Sequence, residues 1–262
     1  MAYPVVLYGP DGNQYNTATG TRRTNVPLGG FPYGTQLIMF DGRKYRFCIA
    51  GASALVVGNL LQAAANIANH VDTTAAANAA DVRTLTTTLG ATLASLDQYF
   101  QGYGVISVTP GAGEVYVFDT TPAVASTGSF VGDLRAGQRI RTALTTTSRV
   151  DLIKNPYDNV IQNPATASGI PVGVAVVAIA ASAFGWVQTR GIASILTAGT
   201  VVLGVMVTAS TGTAGAIMPY TFTLNEAGPN TVDGTQQKAP VGLVQRVAAS
   251  TAWSAIFLQI DG

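Results

Sequence analysis

TQLIMFDGRKYRFCIA, residues 35–50, sets the reading of the whole chain. Two runs rich in β-formers flank Asp41-Gly42, a dipeptide that favours a tight turn of type I′, so the segment reads as a β-hairpin. The same vocabulary recurs downstream. VRTLTTTL (82–89), YFQGYGVISVT (99–109), EVYVFDT (114–120) and RIRTALTT (139–146) are short apolar runs separated by Gly, Pro and Ala turns, the pattern of a β-meander. Beyond them VGVAVVAI, GWVQTRG, TVVLGVMVTA, AIMPYTFTL, VGLVQRVA and WSAIFLQI read as further strands between residues 172 and 260. Helical periodicity is weak almost everywhere. Residues 54–71 stay open between a short helix and a strand pair, because their alanines favour helix while Gly58 and the Val pair oppose it.

The expected fold is therefore mainly β, an N-terminal extended arm followed by two antiparallel β-sandwich or barrel-like units. Residues 1–34 form the arm, since Pro4, Pro10, Pro27 and Pro32 among many Gly, Asn and Thr suit an extended segment better than a packed core. NPYDNVIQNP, residues 155–164, carries two Asn-Pro pairs and is the expected linker, which divides the rest into units of 35–160 and 161–262.

Composition narrows the function classes. Charged residues make up 10 % of the 262 and hydrophobic ones 48 %, with a mean hydropathy of +0.32, whereas a soluble domain usually carries about a quarter charged residues. No charged side chain occurs between Asp158 and Arg190, nor between Arg190 and Glu226. Low charge gives little defence against association, so much of the surface is expected to be covered by other copies or by a partner. With 14 basic against 13 acidic residues, net +1, there is no field to collect phosphates, and the Arg22-Arg23 doublet lacks the clustered basic and aromatic residues of a nucleic-acid groove. Nucleic acid is not an expected partner.

A membrane is not expected either. Residues 170–187, IPVGVAVVAIAASAFGWV, approach the roughly 18–20 apolar residues of a spanning helix. Pro171, Gly173, Gly185, the many Val and Ile residues and the lack of a flanking Lys/Arg cluster favour buried β-structure instead. The N-terminal residues show no basic region followed by an apolar run, and no Asn-x-Ser/Thr sequon occurs, which points to synthesis and assembly in a cytoplasm.

Catalytic chemistry leaves no trace in the pattern. Cys48, the single cysteine, lies between Phe47 and Ile49 and reads as a buried packing thiol. His70 is the only histidine, has no G-x-S-x-G elbow to accompany it, and reads as a surface or turn residue. One His and one Cys do not make a zinc shell, and the carboxylates lack calcium-loop spacing. Gly102-Tyr103-Gly104 lacks the third glycine of a dinucleotide loop and reads as a strand bend. No enzyme activity, metal or cofactor is expected.

Contact residues are easier to nominate. Phe31 and Tyr33 bracket a fixed turn in FPYG, as an anchor on a neighbour or as a local plug. Trp186 and Trp253 read either as interface anchors or as core. Arg190, alone between two uncharged stretches, calls for a carboxylate or carbonyl partner across an interface, with a solvent-facing strand residue as the alternative.

DGRKYRF (41–47), NPYDNV (155–160) and GWVQTRG (185–191), in that order within a nearly full-length likeness, resemble the capsid decoration, or cement, proteins of tailed bacteriophages. The resemblance implies a non-enzymatic virion protein that binds the outside of the assembled shell of major capsid protein, commonly as a trimer at local symmetry axes, after synthesis in the bacterial cytoplasm. It carries over no binding residues, and residues 216–240 form a longer segment than the pattern has there. Arg22, Arg23, Phe31, Tyr33, Trp186 and Arg190 are the resulting candidates for capsid or subunit contact. A tail, neck or head-fibre component and a cell-surface adhesin or polysaccharide-acting module stand as alternative readings.

Overall fold

The computed structural model describes residues 6–9, 13–19, 31–220 and 239–261. Among these the chain is mainly β, without an α-helix. It begins with β1 (Val6–Gly9), β2 (Ala18–Thr19), β3 (Gln36–Met39), β4 (Lys44–Ile49) and β5 (Leu60–Gln62). A barrel follows, built from β6 (Thr73–Ala75), β7 (Thr84–Thr88), β8 (Tyr103–Val108), β9 (Val115–Thr120), β10 (Ser129–Leu134) and β11 (Arg149–Ile153). The chain then returns through β12 (Ile161–Gln162), β13 (Pro171–Ala175), β14 (Ala183–Leu196), β15 (Met206–Ala209), β16 (Ile217–Pro219), β17 (Pro240–Arg246) and β18 (Trp253–Gln259).

These last strands join the first five in one sheet whose main path runs β1-β3-β4-β14-β18-β17-β15-β16. The sheet thus draws on both sides of the division expected at 160/161. β12 pairs directly with β5, Ile161 opposite Gln62, so the barrel is an insertion whose two ends meet at the sheet. The Asn-Pro pairs are turn signals, and here they mark the way out of the barrel: Asn155 donates from Nδ2 to the Gln101 carbonyl at 3.1 Å, and Asp158 and Asn163 are buried. The arm expected over residues 1–34 rests, where described, on the chain's own sheet. β1 pairs in parallel with β3, and β2 pairs with the start of β14.

The hairpin of β3 and β4 forms as expected, with Leu37 opposite Tyr45, but on a different turn. Gly42 alone of the loop takes a positive φ, +82°, while the Gly42 amide donates to the Met39 carbonyl at 3.0 Å. A type I′ turn needs positive φ at both central residues, so this is a three-residue loop in which a type I turn precedes a left-handed glycine.

The closed barrel, in the order β10-β7-β6-β11-β8-β9, alternates inward and outward residues along most strands. Phe118 and Phe130 meet edge to face at 5.6 Å between centroids, Tyr99 joins Phe130 at 5.8 Å, and Leu85, Ile106, Val150 and Leu152 share the same core. A Cβ on Gly132 would stand 2.5 Å from the Phe118 ring, and one on Gly104 3.0 Å, so these glycines leave the room that the ring occupies. Residues 139–146, expected as a strand, instead cross the barrel with Ile140 and Leu144 buried and an isolated bridge from Leu144 to Asn78.

β14 is the spine of the sheet. Its first half is covered on both faces: Ala183 and Val187 enter a core with Cys48, Val160 and Ile179, while Phe184 and Trp186 enter another with Tyr33, Tyr45 and Phe47. Two-sided burial explains an apolar run without polar alternation. The stretch tested as a membrane span is β13 and this half of β14, and no helix among the described residues is long and apolar enough to cross a membrane. A bulge falls between Gln188 and Arg190, and beyond it only one face, carrying Ala193 and Ile195, is packed.

Candidate functional site

The other face of that second half lies open. Ile192 stands opposite Phe257 of β18, Phe257 opposite Leu243 of β17, and Leu243 opposite Met206 of β15, so the four side chains form one row across four strands. Ile192 is 44 % and Met206 47 % exposed, with Phe257 and Leu243 half-buried between them. Leu196 and Trp253, also opposite each other, extend the apolar surface, and Trp253 lies close against Gly58. In the turn that precedes Met206, Val202 and Leu203 are exposed as well. A contiguous apolar surface on a sheet whose reverse side is already packed is the physical mark of a docking face.

A groove of about 650 Å³ closes one end of the row, with Ile192 and Phe257 as its floor and Asp41, Gly42, Arg43, Arg190 and Gly191 around it. The bulge before Arg190 aims that side chain here. Arg190 is directly opposite Lys44 on β4 and Gln259 on β18, and its guanidinium makes no hydrogen bond or ion pair with a described residue. The two acids at the border are already held. Asp41 accepts from Nε of Arg43 at 2.5 Å, and Asp261 accepts from Arg46 through both oxygens, at 2.6 and 2.8 Å. Burial works to raise the Asp261 carboxyl, but the two bonds and the charge of Arg46 outweigh it and hold the group below the ordinary carboxylate range. The hydrogen bonds from Arg46 likewise raise that guanidinium.

The other nominated contact residues fall elsewhere. Trp186 is 3 % and Tyr33 6 % exposed, so both are core residues of this chain and not contact residues. Phe31 is half-buried against Phe47 and Trp186, each at 5.8 Å. Apolar partners from β4 and β14 fill the space around these rings, which is why they turn inward. Arg22 and Arg23 lie outside the described residues. Of the four that are described, Arg190 alone reaches the open face.

His70, expected at the surface or in a turn, is fully buried at one end of the barrel. The Thr92 carbonyl, 2.8 Å from Nε2, can only accept, so Nε2 carries a proton, and Nδ1 meets the Tyr99 hydroxyl. Cys48 is buried as expected, and burial pushes its thiol far above the usual range.

No family model matches the chain, and no curated protein or solved structure matches it.

Proposed function

We propose that this chain is a structural protein of a virion, a cement or decoration protein that binds the outer surface of an assembled bacteriophage capsid and stabilises it, acting as a homotrimer made in the host cytoplasm. The observation that carries the reading is the open face. A row of apolar side chains crosses four strands of a chain with 10 % charged residues, and such a surface calls for a permanent partner. The order of the motifs around Asp41, Asn155 and Trp186 supports the same reading through their likeness to decoration proteins. Moderate contacts suffice for this task, because many copies on one lattice, or the linked subunits of a trimer, turn them into high avidity.

A cryo-EM reconstruction of the particle that carries the chain tests the reading. Copies over the whole shell at threefold or quasi-threefold positions support it. A small number at a single vertex would make the chain a tail, neck or fibre component, and absence from the shell would refute it.

A further inference from the structure

We propose that the open face of β14, β18, β17 and β15 is the capsid-facing side and that its groove takes an acidic segment of the shell protein, a carboxylate set among apolar side chains, with Arg190 as the anchor. This inference rests on the shell-binding reading above.

Charge complementarity selects the occupant. Arg190 is the only charged residue between Asp158 and Glu226, and the fold places it directly opposite Lys44. Like charges in directly opposed positions repel, so this edge of the face favours an anionic neighbour. At the far end of the face Arg246 stands exposed, opposite Ala255. Of the acids nearby, Asp41 accepts from Arg43 and Asp261 from Arg46. The surface therefore presents cations beside an apolar floor of Ile192 and Phe257, and its complement is a carboxylate with apolar neighbours. Arg suits that task better than Lys, because its planar fork receives both oxygens of a carboxylate.

Two other occupants fit less well. A second copy related by a twofold axis through this face would bring the same cations against themselves. A polyphosphate chain would need a basic track, whereas this face carries isolated cations within a chain of net charge +1.

The test uses shells washed free of this chain, to which purified protein is returned and binding is read by co-sedimentation. Arg190→Glu is expected to lose at least tenfold in affinity while its melting temperature stays level or rises, since the substitution places opposite charges across β4 and β14. Arg190→Lys, bound to shells and treated with a carbodiimide, is expected to form an amide from position 190 to an Asp or Glu of the shell protein, identified by mass spectrometry. Arg190→Glu binding within twofold of wild type, or a shell complex of Arg190→Lys with no crosslink from position 190, overturns the inference and leaves the shell-binding reading standing. Failure of the wild-type chain to bind shells overturns that reading, and the inference with it.

Discussion

Trp186 packs between Phe31 and Phe47 in the core, whereas Trp253 is 50 % exposed on the open face. Sequence left both tryptophans open between core and interface, because a ring flanked by small and apolar residues looks the same in either place. Their substitutions should separate cleanly. Trp186→Ala is expected to cost about 3–5 kcal/mol in urea unfolding, the range for a large ring lost from a core. Trp253→Ala should lower the unfolding midpoint much less than Trp186→Ala does, and weaken shell binding. The ion pair of Arg46 and Asp261 ties the end of the chain to β4 and carries a pH signature. The carboxyl is depressed in the fold, so its contribution is complete above the unfolded pKa, about 4, and is lost as pH falls through the lower folded value. Asp261→Asn is therefore expected to destabilise by about 1.5–3 kcal/mol at pH 7, by chemical denaturation, with the gap from wild type closing in acid. His70 shows the limit of reading single residues: nothing in its sequence neighbours announces Tyr99 and Thr92, which the chain delivers from more than twenty positions away.

The hairpin of β3 and β4 was legible because apolar residues alternate on either side of Asp41-Gly42, a local signal. Its turn type was not, since Asp-Gly serves both kinds of loop and Asp41 keeps a negative φ. A Cβ on Gly42 meets nothing within 4 Å, so Gly42→Ala should cost only the strain of its positive φ, about 1 kcal/mol by thermal unfolding. β10 escaped notice because Gly132 and Asp133 interrupt its apolar run, and the glycine is there to receive Phe118. β14 was seen in part, since two-sided burial erases alternation in its first half and the bulge at Arg190 shifts it in the second. β1 covers the edge of β3, so deletion of residues 1–19 should leave an unpaired edge strand. Self-association that rises with concentration, followed by light scattering, is the expected result. A longer deletion to residue 34 would also remove Phe31 and Tyr33 from the aromatic core.

At the scale of the whole molecule the mainly β class was legible from composition and spacing. The nesting of one unit within the other was not. β5 and β12 are neighbours in space with the barrel between them in sequence, and no local pattern encodes a pairing across that distance. The barrel closes on itself and owns its core, so it leaves no strand edge unpaired. A fragment of residues 66–154 is expected to fold alone, with a well-dispersed amide NMR spectrum. The sheet carries the open face, and the proposed role depends on what that face meets. The most direct measurement is a cryo-EM map of the decorated particle at side-chain resolution. Ile192, Phe257, Leu243 and Met206 are expected against the shell, with Arg190 within hydrogen-bond distance of a shell carboxylate. A map with that row turned to solvent and the barrel against the shell would contradict this placement.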